Sequence, residues 1–496
     1  MVEFAFSTVA PQSLVADVLV LPVFEGPDDG PGVREAGLRG AFAAAKLKGK
    51  RGESLFVARR DGDRFAAGAA LLVGVGPKAD AGPDALRRAI GRVAPRVARF
   101  ATVATTFSQV TRASDDAVQA TVEGILLGSY RFDRYKSTTD DGPPSLRKVT
   151  VLGKPGGTPR AARQAIVRAE VIADAVAWAR DLVNTPALEC TPDFLAKQAQ
   201  RMAKETGLEA KVWNEKQLEQ GGFGGILGVG RGSVNPPRLI ELRYRGAGAT
   251  QRPIALTGKG IAFDSGGLSI KDAKGMETMK DDMAGAASIL ATMKAIARLK
   301  PRVNVIAAIP SSENMPSGSA IHPGDVVRHR GGKTSEVLNT DAEGRVVLAD
   351  ALAYLAEQEP RVILDTATLT GACMVALGND LWGVMGNDRR LIRDVLASGE
   401  AVGEPGWELP LWQGYKTQIE SSVADVRNIG DRWGGAITAA LFLAEFVGDT
   451  PWAHVDIAGP AFAEKVGDYW PKGGTGVPVR TLVHYVLGQA GRSTRR

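Results

Sequence analysis

The sequence predicts an α/β protein of two domains: a smaller N-terminal α/β domain and a larger C-terminal α/β/α domain built on a mainly parallel central sheet. Three observations carry this. The chain has 496 residues, too many for one ordinary core. Val- and Leu-rich runs alternate with Ala- and Arg-rich stretches, the signature of strand and helix in turn. Several of the later runs are almost wholly apolar, as strands covered on both faces must be.

Taken in order, residues 1–155 form the first domain. Val15–Val23, Ala69–Val75 and Lys148–Leu152 read as strands, bounded by Gly, Pro or charge, and Asp84–Ala98 reads as a helix. Gly153–Pro159 is a run of breakers. A long Ala-rich helix, about Arg160–Leu182, follows as the connector, and Asn184-Thr185-Pro186 stops it; the linker is 156–189. In 190–496 the expected strands are Arg238–Tyr244, Ile254–Thr257, Val303–Ile309, Val362–Asp365 and Ala453–Asp456. Helices are expected at Met283–Leu299 and Ala349–Ala356. Ligands of such sheets bind beyond the carboxyl ends of the strands, and the polar motifs below follow strands in that way.

Hydrophobic content of 44% and charged content of 23% are those of a soluble globular protein. No apolar run reaches the ~18 residues of a membrane span. The opening Met1-Val2-Glu3-Phe4 has no basic segment, and Leu14–Phe24 carries Asp17 and Pro22, so a buried strand is expected there rather than a signal peptide. Two cysteines, Cys190 and Cys373, make neither a disulfide framework nor a Cys-based zinc site, and a cytoplasmic location fits. The net charge of +6 is spread along the chain, with one short basic cluster at Arg492–Arg496. Nucleic acid is therefore not an expected partner, nor is a membrane.

Four clusters carry chemistry. Lys259-Gly260-Ile261-Ala262-Phe263-Asp264-Ser265-Gly266-Gly267-Leu268-Ser269-Ile270-Lys271 follows a strand and places Asp264 between two lysines. A phosphate loop is excluded, since no Gly-Lys-Ser/Thr ending is present and Asp264 repels phosphate. Glu277–Asp282 precedes the Met283 helix, where acidic residues ordinarily serve as caps. Asn339-Thr340-Asp341-Ala342-Glu343-Gly344-Arg345 is the most telling run. If extended, it puts two carboxylates and a guanidinium on one face, which suggests a divalent cation with an anion clamp beside it. Asp365–Gly371 is a strand end running into a small-residue loop suited to lining a pocket. None of the four histidines forms His-Glu-x-x-His, His454 reads as a satisfied core residue, and no Gly-x-Ser-x-Gly elbow supports a Ser-His-Asp triad.

Together these clusters resemble the leucyl aminopeptidase family of two-metal exopeptidases. Asn339–Arg345 looks like that family's signature, and Lys259–Lys271 and Met279–Met283 resemble its other metal-site motifs. Asp181–Pro186, Glu313–Gly318, Trp433-Gly434-Gly435 and Gly474-Thr475-Gly476 are similar too, so the likeness spans about 170–490. The resemblance implies that Lys259 and Asp282 ligate one metal, Asp264 and Glu343 bridge both, and Asp341 completes the other site. Zinc or manganese is the implied metal. Lys271 would stay charged and bind the developing oxyanion, while Arg345 would hold a bicarbonate serving as general base. Met279, Thr368, Leu369 and Gly371 would border the side-chain pocket. The implied activity is release of Leu-like N-terminal residues from peptides, and the implied assembly is a homohexamer, a dimer of trimers. Ile321-His322-Pro323-Gly324 and Ala187–Cys190 depart from the family's pattern without touching a proposed ligand.

Overall fold

The computed structural model describes residues 2–26, 29–111, 114–138, 145–154 and 159–492. Positions 155–158 of the breaker run, with the expected 155/156 boundary, and 493–496 of the basic tail lie outside the described residues. The chain divides into two compact units. One comprises 1–174 with Lys465–Lys472, and the other 175–464 with 473–496. The expected C-terminal range 190–496 held no such return. Lys465–Lys472 groups with the first unit, where Asp468 pairs with Arg88 and Arg92 and Tyr469 packs on Gly91. No periodicity in so short a segment announces a tertiary contact.

The first unit carries β1 (Glu3–Ser7), β2 (Val18–Glu25), β3 (Ser54–Ala58), β4 (Ala69–Pro77), β5 (Thr102–Thr105) and β6 (Lys148–Leu152). Among the described residues these form one sheet of order β1-β6-β5-β2-β4-β3, parallel except for the β3–β4 hairpin pair. Strand β2 is buried along all but its last residue, which is why its sequence is so apolar. Helices Pro83–Val97 and Ser114–Gly128 pack together, with Arg87 tied to Glu123 at 2.8 Å inside that contact.

The second unit carries β7 (Glu209–Trp213), β8 (Arg238–Arg245), β9 (Ile254–Gly258), β10 (Gly260–Asp264), β11 (Asn304–Asn314), β12 (Asp325–Arg328), β13 (Thr334–Val337), β14 (Val362–Ala367), β15 (Trp382–Gly386), β16 (Gly406–Glu408), β17 (Val426–Arg427) and β18 (Trp452–Asp456). The main sheet runs β16-β15-β18-β14-β9-β11-β8-β7, with β10 beside β11. Its centre, β18-β14-β9-β11-β10, is parallel throughout. Helices Pro192–Thr206 and Ala284–Leu299 cover one face; Gly224–Gly230, Glu343–Ala356 and Gly435–Ala444 belong to the other layer. Alternation sorts the strands accordingly: Ala255 and Ile363 join the core under the Glu343 helix.

Expected elements recur with small shifts: Ile254–Thr257 extends to Gly258, Val362–Asp365 to Ala367, and the connector helix is Pro159–Asn184. Two differ in kind. The Gly-rich run after β9, where no strand was expected, opens with strand β10. The helix expected from Ala349 begins at Glu343.

Candidate metal centre

The carboxyl ends of β9, β10, β11, β14 and β18 meet along one edge of the sheet, and the polar motifs gather there. Lys259 sits at the break between β9 and β10. Its N–H donates to Thr366 O (3.0 Å) and its carbonyl accepts from Ala286 N (2.8 Å), so neighbouring elements fix its backbone. Its Nζ lies 2.7 Å from Asp282 Oδ2 and 2.8 Å from Glu343 Oε1, and donates to Thr368 O at 3.2 Å. Asp264 ends β10. Lys271 Nζ stands 2.9 Å from Asp264 Oδ2 and contacts Asp341 Oδ1. Oxygens of Asp264, Asp341 and Glu343 all lie within 4.8 Å of one another.

The turn from Asp264 to Lys271 needs its glycines. Gly266 and Gly267 have φ of +87° and +65°. A Cβ on Gly266 would stand 3.0 Å from Asp341 Oδ1, and one on Gly267 would stand 2.7 Å from Asn314 Oδ1. Thr340 holds this turn against the signature run, donating to Gly266 O (2.6 Å) and accepting from Ser269 N (2.8 Å).

The signature run is not extended, so Asp341, Glu343 and Arg345 do not share a strand face. Asp341 lies in a turn held by Asn339 Oδ1 (2.8 Å), and Glu343 opens a buried helix. The two carboxylates converge because the chain reverses between them. The Glu277–Asp282 cluster is not a cap either. It ends in a 3-10 turn, Met279–Asp281, and the following helix has no side-chain cap at Met283. Asp282 is thereby free to face Lys259.

Among the expected pocket residues, Met279, Thr368 and Leu369 are half-buried and Gly371 is exposed. The Thr368 hydroxyl donates to Asp282 Oδ1 (2.7 Å), and the Leu369 N–H donates to Asp456 Oδ1 (3.2 Å). Arg345 is buried; its Nη1 donates to Asn428 O (2.9 Å), while its Nε has no hydrogen-bond partner among the described residues. Burial pulls the Arg345 guanidinium down to about 10. Asn314, Thr340, Asn428 and Asp456 were given no role in the sequence reading, because a side chain that serves its neighbours through hydrogen bonds leaves no spacing signature.

A Ser-His-Asp chain does occur: His329 Nε2 meets Ser335 Oγ at 2.7 Å and its Nδ1 meets Asp350 Oδ1 at 3.2 Å. All three are sealed in the core, and Asp350 also accepts from Ile226 N and Arg330 N. It is a strut between β12, β13 and the Glu343 helix, with no access for a substrate. His454 is only half satisfied: Nδ1 meets Asp365 at 2.5 Å, and Nε2 has no hydrogen-bond partner among the described residues. Cys190 and Cys373 are buried, and burial pushes each thiol up to about 12.

The donor set fits divalent cations. Burial raises the Asp264 carboxyl to about 6 against the pull of the lysines, and raises Asp282 and Asp341 as well. Burial alone would raise Glu343 too, but the Lys259 ammonium outweighs it and holds that carboxyl below the usual range. Burial alone would lower Lys259 and Lys271, but their carboxylate neighbours hold both above the usual lysine range. Asp282 Oδ2, Glu343 Oε1 and Asp341 Oδ1 are closed to solvent and face the lysine ammoniums. These oxygens point into the centre with the lysine ammoniums as their close partners, so they are the donors a divalent cation would meet.

Comparison with known proteins agrees. The profile of the cytosol aminopeptidase family catalytic domain matches residues 177–483, and that of the family's N-terminal domain matches 20–139. A probable cytosol aminopeptidase of Syntrophotalea carbinolica is 45% identical, over 95% of this chain and 97% of that one. One from Streptomyces coelicolor is 44% identical, over 97% and 98%. Among solved structures, the bottromycin maturation enzyme BotP in complex with Mn is 36% identical with a TM-score of 0.85, covering 96% of this chain and 100% of that one. A mutant of tomato leucine aminopeptidase is 32% identical with a TM-score of 0.87, covering 98% and 97%. Fold and site together define a metal-dependent aminopeptidase, a hydrolase. The chain belongs to the cytosol aminopeptidase family.

Proposed function

We propose that the protein releases Leu-like N-terminal residues from peptides by a two-metal mechanism. The observation that supports this most is the convergence of Asp264, Asp282, Asp341 and Glu343, from three separated segments, around Lys259 and Lys271. In this reading Lys259 and Asp282 would hold one ion, Asp341 would hold the other, and Asp264 and Glu343 would serve both. Zinc and manganese both suit oxygen-rich ligation. When bound, the ions supply a nucleophilic water at neutral pH, polarise the scissile carbonyl and anchor the free amino end. That anchor makes the enzyme an exopeptidase.

The chain's own groups do the rest. Four carboxylates balance two dications, so the loaded centre is near neutral. Beside two dications Lys259 binds as the neutral amine, the reverse of its state among carboxylates alone. Lys271, outside the ligand set, keeps its proton and donates to the oxyanion. Arg345 offers its unpartnered Nε–H to an anion, bicarbonate in this reading, which acts as the base. Met279, Thr368, Leu369 and Gly371 border the side-chain pocket, and the apolar, half-buried Met279 and Leu369 favour an apolar residue. We place the enzyme in the cytoplasm as a hexamer of two trimers. No helix among the described residues is long and apolar enough to cross a membrane.

Metal analysis with a panel of aminoacyl amides tests the proposal. Two equivalents of metal, loss of activity with phenanthroline, recovery with Mn or Zn, and highest kcat/KM on the leucyl amide are expected. Full turnover by metal-free protein would overturn the proposal.

A further inference from the structure

Asn314 ends β11 and is 2% exposed. Its Nδ2 donates to Asp264 Oδ1 (2.8 Å) and Thr340 O (2.9 Å) and stands 3.4 Å from Glu343 Oε2. All three neighbours are acceptors, so the nitrogen and not the oxygen must face them. An amide nitrogen has two hydrogens, which the two short bonds use; Glu343 shares what remains. One side chain thus joins the end of β10 to the turn that carries Asp341 and Glu343.

The bonds also sort the carboxylate oxygens. Asp264 Oδ1 accepts from Asn314 and from Gly266 N (2.8 Å), which leaves Oδ2 facing Lys271. Glu343 Oε2 faces Asn314, which leaves Oε1 facing Lys259 at 2.8 Å. Each carboxylate has one oxygen tied to the scaffold and one turned to the centre. The backbone is built for this: β10 and β11 change register between Ile261 and Asp264, and the shift brings Asp264 opposite Asn314.

We propose that Asn314 is a positioning residue that sets Asp264 and Glu343 as a preformed pair for a divalent cation. This rests on the ligand reading above. Asn314 touches neither substrate nor the reacting atoms; it acts by removing the cost of orienting two carboxylates when the ion arrives.

The test is Mn2+ titration of the full, metal-stripped chain, read by electron paramagnetic resonance, for wild type, Asn314→Ala, Asn314→Leu and Asp341→Ala. The leucine variant keeps the number and branching of asparagine's side-chain heavy atoms, so a cavity left by the alanine variant does not end the experiment. Both Asn314 variants should bind Mn2+ about 10–100-fold more weakly. Their kcat should fall while KM stays near wild type. Wild-type Mn2+ affinity in the Asn314 variants, alongside weakened binding in Asp341→Ala, would overturn this inference and leave the ligand reading standing. A wild-type chain that binds no Mn2+, or an Asp341→Ala variant that binds it normally, would overturn the ligand reading itself.

Discussion

Replacing Gly344 with alanine should remove activity while sparing the fold. Gly344 is the second residue of the Glu343–Ala356 helix and is buried. A Cβ there would stand 2.5 Å from Lys259 Cε and 2.7 Å from both Cδ and Nζ, where ordinary contact is 3.4–4 Å. The obstruction is the flexible end of a lysine, not backbone. The lysine can therefore yield by about 1 Å, and no strand or helix need move. Alanine is favoured over glycine in a helix by up to ~1 kcal/mol, which offsets the crowding. The Nζ, however, leaves the positions 2.7 Å from Asp282 and 2.8 Å from Glu343. A misplacement of that size in an active site costs on the order of 10²-fold. Turnover of leucine p-nitroanilide should fall by about that factor, while Tm changes by no more than about 4 °C. Wild-type kcat in a folded variant would refute the reasoning, because Lys259 could then stand elsewhere without consequence.

Glu343→Ala should abolish turnover in a protein whose circular dichroism is unchanged; near-normal activity would exclude a shared-ligand role. Lys271→Ala should lower kcat by roughly 10²–10³-fold, the scale of one lost oxyanion donor. An effect confined to KM would instead make Lys271 a substrate-binding group. The His454–Asp365 pair should give stability a pH dependence. Burial alone would lower the His454 value, but Asp365 and Asp456 outweigh it and the net shift is upward. A raised value means that the pair's stabilisation is complete below the unfolded histidine value and fades as pH rises through the folded one. The Tm gap between wild type and Asp365→Asn should therefore narrow from pH 6 to pH 9. A gap that is constant or widens would show that the pair is not a charged one.

The architecture was legible because burial on both faces forces apolar runs, as in β9, β14 and β18, whose observed bounds extend the expected ones by one or two residues. The structure brings Asp264, Asp282, Asp341 and Glu343 together around Lys259 and Lys271, a grouping that the family resemblance implied and that residue spacing alone suggested only for Asp341 and Glu343. Local conformation was not legible. Asp341 and Glu343 converge through a turn and a helix start, and spacing two apart looks the same in that geometry as in a strand. β10 was hidden because Gly260 reads as a loop residue, although it lets the strand lie close to β11: a Cβ on Gly260 would stand 2.5 Å from Pro310 O. Thr368, expected on the pocket wall, spends its hydroxyl on Asp282. The return of Lys465–Lys472 to the first unit depends on contacts made across several hundred residues of chain, which no local pattern encodes.

Crystals grown with manganese and measured at an anomalous wavelength test the central claim most directly. Two peaks should lie among Asp264, Asp282, Asp341 and Glu343, one of them in contact with Lys259 Nζ. A map with both lysines still paired to those carboxylates, and no peak between them, would contradict the account.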